Sequence, residues 1–566
     1  MQILGGARTL FGRASTEARF AATLLKARGP GVALAPPHRM LGVAKALDAY
    51  GPVGAAVALA AATAGDRVAL LDEKGEVTFT DLETRSNALA NALREQGFQA
   101  GDSVGILARN HRGLFEAILA ACKLGGRTLL LNTDFAGPQL VDVCEREEVS
   151  VLVHDQEFDD VARGYEPPLG RVVAWTDDPE GTDAEQGAIT LDSLAGKGDP
   201  SAPPKPARKQ RIILLTSGTT GTPKGAPRDL GMSMVIPGGY LSKIPLRSGR
   251  TVLLGAPAFH AWGLLSSVLA LGLGNTLILT RKFDPEQALE TLDEHRCDAL
   301  ITVPILLSRL VALGDEQFAK RDLSALRIVA VSGSALPPDL AARTMDLLGD
   351  IVYNLYGSTE VAYATIATPE DLRAAPGTVG RPPFGTTIKL FDENDKPVPR
   401  GETGRIFVGN SIQFEGYTGG GSKQTVDGLM STGDVGHLDE GGRLFVDGRD
   451  DDMIVSGGEN VFPREIDELL VSHDGIDEAA VVGIPDPDFG ARLRAYVVRS
   501  SGSSLDEDGV KGFVKQNLAR YKVPREVVFI DEMPRNPAGK VMKRELPGFQ
   551  EDSKEGQQAK ERSRAD

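Results

Sequence analysis

Ile212-Ile213-Leu214-Leu215-Thr216-Ser217-Gly218-Thr219-Thr220-Gly221-Thr222-Pro223-Lys224-Gly225 couples an apolar run to a loop of glycines, hydroxyls and one lysine. The run predicts a buried strand. In the loop, glycines let backbone amides approach an anion without Cβ interference, hydroxyls add donors, and Lys224 adds a mobile cation. That chemistry suits a polyphosphate, with Thr216, Ser217, Gly218, Thr219, Thr220, Gly221 and Lys224 as candidate contacts. It is not a Walker loop: Pro223-Lys224-Gly225 stands where Gly-Lys-Ser/Thr is required, so no hydroxyl is placed for magnesium. The plain alternative is a surface turn.

Outward from this loop, residues 60–350 alternate short β-branched runs with helical patterns, as a parallel sheet wound by crossovers requires. One unit reads Thr80-Asp81-Leu82-Glu83 as a capping box, Leu82, Leu89 and Leu93 as a buried helical face, Gly97 as the stop and 104–107 as the next strand. Asp284-Pro285 opens another helix before a strand at 299–303. The Pro- and Lys-rich stretch 200–210 is a surface connection. Between Gly377 and Gly448 short strands separated by Gly, Asp and Asn turns imply a small β subdomain, and 452–547 mixes helices and strands as a compact α+β domain.

The expected fold is therefore α/β: a large N-terminal domain of wound parallel sheets with a small β subdomain, then a small α+β C-terminal domain. Boundaries are expected at 1–55 (an N-terminal extension), 56–450, 451–548 and a polar tail from 549 expected to be disordered.

A chain of 566 residues exceeds what one core supports, which agrees with more than one domain. The formal charge of −16 excludes a protein that neutralises nucleic-acid phosphates over a broad surface. Cys122, Cys144 and Cys297 show neither disulfide-framework nor zinc-site spacing, which fits a reducing cytoplasm. Two apolar runs, 53–62 and 261–279, are not expected to cross a membrane: the first is too short, and the second breaks at Gly274-Asn275 into a helix and a strand. Residues 1–28 carry Arg8, Arg13, Arg19, Lys26 and Arg28 against Glu17, interleaved with apolar residues. This pattern suits peripheral membrane contact, a transit-like segment or a helix packed on the body.

Further motifs follow the loop in order: Ser332-Gly333-Ser334-Ala335-Leu336-Pro337, Tyr353-Asn354-Leu355-Tyr356-Gly357-Ser358-Thr359-Glu360, Ser431-Thr432-Gly433-Asp434, Gly448-Arg449-Asp450-Asp451-Asp452 and Asn536-Pro537-Ala538-Gly539-Lys540. Together with the loop they resemble the signatures of the acyl-adenylate-forming superfamily, and of its acyl-CoA synthetases, fatty-acid:CoA ligases, in particular. The resemblance covers roughly residues 60–548. It implies ATP, magnesium and CoA as cofactor or co-substrates, a small-molecule carboxylate as the other partner, and reaction through an acyl-AMP.

Each residue has its implied place. Gly333, Ser334 and Ala335 pass along the adenine, Tyr356 stacks on it, Gly357 contacts the nucleotide, and Thr359 hydrogen-bonds the α-phosphate. Glu360 coordinates magnesium, a hard cation that prefers carboxylate oxygen. Asp434 clamps the ribose hydroxyls with Arg449 beside it. Lys540 is the catalytic cation of adenylation, Asp451 the hinge, and Gly457 and Gly458 let the pantetheine arm pass. His260, in Pro257-Ala258-Phe259-His260-Ala261-Trp262-Gly263, resembles a gate near the carboxylate. Residues around Trp262 and Ala362-Tyr363-Ala364 lack fixed charge, which leans toward a medium- or long-chain fatty acid. Ligases that load a carrier-protein pantetheine, and non-catalytic fatty-acid transport relatives, share the same motifs. The chain departs from the pattern at Gly419-Gly420-Gly421 after Gly416-Tyr417, at Leu429 and at Gly490-Ala491.

Overall fold

The computed structural model describes residues 22–23, 26–27, 37–177, 189–216, 224–228, 235–410, 413–414, 416–450, 454–456, 459–461, 463–486, 490–518, 522–537 and 539–549. Most of the basic N-terminal segment and the tail from 550 lie outside the described residues. So do Ser217, Gly218, Thr219, Thr220, Gly221, Asp451, Gly457 and Gly458.

Two compact units emerge. The first comprises Met1–Pro376, Gly380–Thr387 and Val408–Gln424; the second comprises Gly377–Val379, Ile388–Phe407 and Thr425–Asp566. Most of the small β subdomain thus groups with the C-terminal residues.

Among the described residues the first unit holds two wound sheets. One has eight strands in the order Thr365–Ala367, Val352–Tyr356, Ile328–Val331, Ala299–Thr302, Thr251–Leu254, Thr276–Leu279, Val68–Asp72, Gly75–Thr78. All neighbours are parallel except the antiparallel pair at each edge. The other has six strands, Arg171–Trp175, Val149–Asp155, Ser103–Leu107, Arg127–Leu130, Arg211–Thr216 and Lys224–Arg228, with the last antiparallel. Crossover helices cover parallel strands on both faces, so these strands are apolar without alternation. Every residue of Ala299–Thr302 and Ile328–Val331 is buried. Leu70, Leu89, Ile106, Leu254 and Ile301 belong to one apolar cluster.

The helix Phe79–Glu95 buries Leu82, Leu89 and Leu93 as expected, and Gly97 beyond its end has φ +103°. Its capping box is not the expected Thr80/Glu83 pair. The Thr78 hydroxyl accepts from the Asp81 amide, and the Asp81 carboxylate accepts from the Thr78 amide in return. The helix starts earlier because Phe79 is fully buried and belongs to its core face, while the Thr80 amide donates to Gly65 O. Asp284 caps Pro285–Glu294 at the Gln287 amide, as the sequence implied.

The apolar stretch around 53–62 is part of a helix, Pro37–Ala64, that runs across residue 55. By length and composition its 40–64 portion would suffice to cross a membrane. However, Gly51, at φ 69° and ψ −175°, interrupts the helix before Pro52. A residue preceding proline is disfavoured in the α region, and proline has no amide to donate. Each limb therefore spans about 20 Å, short of the ~30 Å hydrocarbon core. Val53, Val57 and Ala60 join the central core of the first unit.

The second unit contains a five-stranded sheet of Thr387–Phe391, Gly404–Gly409, Leu429–Leu438, Thr425–Val426 and Leu444–Arg449 among its described residues. A long hairpin, Ile476–Asp486 with Gly490–Arg499, adds Glu526–Phe529 in parallel; Pro463–Val471 and Glu507–Asn517 accompany it. This is the expected α+β composition.

Candidate active site

Ligands of open α/β sheets bind beyond the carboxyl ends of the strands. In the first unit those ends carry the expected residues. Thr216 closes one strand and stands opposite Lys224, which opens its antiparallel partner. Gly333, Ser334 and Ala335 follow Ile328–Val331, and Gly357 follows the adjacent parallel strand Val352–Tyr356. Ser332 Oγ donates to Leu355 O at 2.7 Å and ties these two ends together.

Gly357 allows the chain to double back. A Cβ there would lie 2.1 Å from Ala362 O and 2.7 Å from Tyr363 Cα. Within this turn Ser358 Oγ accepts from the amides of Glu360 and Val361 at 3.3 and 3.4 Å, and Thr359 is half-buried. Glu360 is 8% exposed, and its Oε1 accepts a 2.7 Å hydrogen bond from Tyr417 Oη. Lys224 Nζ stands 5.4 Å above the Tyr417 ring. Thus Lys224 and the acid of the distant Tyr-Gly-Ser-Thr-Glu motif converge on Tyr417.

Among the described residues no group of three or more His, Cys, Asp or Glu is arranged to hold a metal. A single carboxylate fits magnesium nevertheless, because that ion is commonly held by one or two carboxylates together with substrate phosphates.

His260 precedes the helix Ala261–Gly272, with its ring 4.5 Å from Phe259. Its Nε2 is enclosed and has no hydrogen-bond partner among the described residues. Burial pushes its pKa down to about 4. The folded protein therefore holds a neutral ring, whereas the unfolded chain takes up a proton near the ordinary value of 6.5. The stability this neutral ring supports is intact above pH 6.5 and falls as pH drops toward 4, by about 1 to 3 kcal/mol. Urea midpoints of the wild type should consequently fall more steeply than those of His260→Gln over that window; parallel curves would contradict the assignment.

In the second unit, Asp434 and Arg449 face each other in the antiparallel register of Leu429–Leu438 and Leu444–Arg449. Arg449 Nη1 is 3.4 Å from Asp434 Oδ1, and the Asp434 amide donates to Thr432 Oγ1 at 3.1 Å. The carboxylate is nearly buried, at 8% residue exposure. One ionised carboxylate can accept from two adjacent hydroxyls, which a ribose offers.

Lys540 is exposed on a tight loop in the same unit. Asn536 and Lys540 exchange two 2.9 Å bonds, the Asn536 amide to Lys540 O and the Lys540 amide to Asn536 Oδ1. Arg535 Nη1 donates to Gly539 O at 2.6 Å, while its Nε holds Glu478 at 2.8 Å. The lysine is thereby presented on a braced turn rather than a loose one.

Residues 57–418 match the AMP-binding enzyme family, and residues 465–540 match the AMP-binding enzyme C-terminal domain. The chain belongs to this family. It is 32% identical over 481 residues to a feruloyl-CoA synthase of Amycolatopsis sp, covering 83% of this chain and 93% of that protein. It is 32% identical over 475 residues to the indoleacetate–CoA ligase of Aromatoleum aromaticum, covering 83% and 92%. Its fold matches o-succinylbenzoate CoA synthetase from Bacillus subtilis, solved with an acyl-adenylate intermediate, at TM-score 0.75 and 26% identity over 87% of this chain and 97% of that one. The protein is an acid:CoA ligase of the AMP-forming type.

Proposed function

We propose that the ligase activates a ring-bearing carboxylate in two steps. The carboxylate attacks the α-phosphorus of ATP, breaking its bond to the β-phosphate oxygen and giving acyl-AMP and pyrophosphate. The CoA sulfur, having lost its proton, then attacks the acyl carbonyl and displaces AMP. The observation that carries this reading is the buried Glu360, joined through Tyr417 to Lys224 at the carboxyl ends of the first unit's strands.

In this reading Thr216–Lys224 loop amides and hydroxyls hold the phosphates. Gly333, Ser334, Ala335, Tyr356 and Gly357 receive the adenine, Thr359 donates to the α-phosphate, and Asp434 with Arg449 receives the ribose. Glu360 supplies an oxygen to magnesium, which when bound neutralises phosphate charge that would repel the incoming carboxylate. Lys540 provides the cation for the charge that shifts from carboxylate to pyrophosphate. Asp451 serves as a hinge that removes Lys540 after adenylation, and Gly457 and Gly458 admit the pantetheine arm; these roles rest on the family resemblance. His260 gates the carboxylate end of the pocket. A cytoplasmic location fits its three buried thiols, which form no disulfide among the described residues.

The fatty-acid lean drawn from uncharged pocket residues gives way here to an aryl or arylalkanoic acid. Support comes from relatives named for feruloyl and indoleacetate substrates. It comes also from aromatic residues in the two uncharged segments read as the acyl site. Trp262 and Tyr363 are 7% and 0% exposed, and Trp262 stacks on Tyr240 at 6.0 Å.

An AMP-release screen across hydroxycinnamic, arylacetic, short and long aliphatic acids, with CoA or a holo-carrier protein as acceptor, tests the substrate and the acceptor together. Aryl acids should exceed aliphatic ones in kcat/KM by roughly 10- to 200-fold, the range that apolar pocket contacts support. A preference for long aliphatic acids, or for the carrier over CoA, would overturn the corresponding half of the proposal.

A further inference from the structure

We propose that Tyr417 is a positioning residue for the metal-binding carboxylate of Glu360, and that segment 416–418 is the strap that holds the exit of the phosphate loop beside it. The proposal rests on reading Glu360 as the magnesium ligand. Its geometric basis lies wholly within the first unit.

Glu360 is anchored along its backbone: its amide donates to Ser358 Oγ and its carbonyl accepts from the Phe414 amide at 2.9 Å. Its side chain has a single hydrogen bond among the described residues, from Tyr417 Oη to Oε1. That bond restrains Oε1, while Oε2 has no hydrogen bond among the described residues. Outer partners of this kind set the orientation of a metal ligand, and their loss commonly weakens metal binding by about 10- to 100-fold.

The tyrosine is itself held in place. Phe414 packs edge-on against its ring at 4.9 Å. The Tyr417 amide donates to Gly421 O at 3.0 Å, and the Gly420 amide donates to Tyr417 O at 2.9 Å. The glycine run that departs from the family pattern thus builds a turn around Tyr417, with Gly420 and Gly421 both at φ +86°. The next residue completes the strap. The Thr418 amide donates to Gly225 O at 2.9 Å, and Thr418 Oγ1 donates to Glu147 Oε1 at 2.6 Å. Gly225 allows this approach, because a Cβ there would lie 2.7 Å from Thr418 Oγ1 and 2.8 Å from Glu147 Oε1. One short segment therefore grips the strand leaving the phosphate loop, sets a ring under Lys224 and orients Glu360.

Tyr417→Phe removes only the hydroxyl and keeps the ring that Lys224 and Phe414 contact. Two readouts are informative: the half-saturating magnesium concentration for pyrophosphate release at fixed ATP, and the affinity of Mn2+ with a non-hydrolysable ATP analogue, read by electron paramagnetic resonance. We expect both to weaken by about tenfold, with thermal unfolding and acyl transfer from supplied acyl-AMP to CoA unchanged. Metal dependence within twofold of wild type, or equal loss in the supplied-adenylate assay, overturns the proposal. Glu360→Gln, measured in parallel, separates the two levels of failure. If it weakens Mn2+ binding while Tyr417→Phe does not, only the positioning role falls. If it leaves Mn2+ binding intact, the assignment of Glu360 falls, and this inference with it.

Discussion

Lys540→Ala should cut acyl-AMP formation by up to about a thousandfold while leaving acyl transfer from supplied acyl-AMP to CoA largely unchanged. A positioned donor aimed at developing charge contributes roughly 3 to 4 kcal/mol to a transition state. The loop that carries Lys540 is closed by Asn536 and held by Arg535, which reaches both Gly539 O and Glu478. These braces use the backbone of Asn536, Gly539 and Lys540 and the side chains of Asn536 and Arg535, so truncating the exposed lysine leaves them in place. The loss is therefore expected in kcat of the first half-reaction with no change in the urea midpoint. Pyrophosphate release and the supplied-adenylate assay, run on the same preparation, check it. Equal losses in both half-reactions would contradict the role.

Glu360→Gln should lower magnesium-supported adenylation by about a hundred- to a thousandfold, comparable to removing one preorganised electrostatic contact at a transition state. The substitution keeps size and an acceptor for Tyr417 Oη while removing the charge, so packing around this 8% exposed residue is preserved. Since a buried ionised group loses hydration on folding, thermal stability should hold or rise as activity falls. Retained activity at saturating ATP would remove Glu360 from the metal site. A fall in stability with no shift in magnesium dependence would mark it as structural instead.

Much of the architecture is legible because it follows from periodic burial. The fully buried strands Ala299–Thr302 and Ile328–Val331, the Leu82/Leu89/Leu93 face and the Asp284 cap all follow from side-chain chemistry within a few residues. The cap of the first long helix was displaced to Thr78 because Phe79 contributes to the core, and a local Thr-x-x-Glu pattern carries no information about that burial. Whether Pro37–Ala64 is one helix or two depends on Gly51, whose φ of 69° is readily adopted only by glycine.

The candidate site divides in the same way. Glu360, Asp434, Arg449 and Lys540 stood out through ordered motifs, and Asp434 opposite Arg449 is the pairing that those motifs imply. Tyr417 did not stand out, because its partner Glu360 lies 57 positions away and no local pattern links them. An aromatic set among glycines, outside any strand period, was the available signal. The substrate was the least legible feature: Trp262 and Tyr363 belong to different segments, and uncharged side chains accommodate rings and chains alike.

Acid-dependent exchange of labelled pyrophosphate into ATP, measured without CoA and then with CoA to follow product, tests the central claim most directly. Exchange should occur with at least one aryl acid, collapse in Lys540→Ala, and give way to acyl-CoA and AMP when CoA is added. Absence of exchange with every acid, or ADP and phosphate in place of AMP and pyrophosphate, would contradict it.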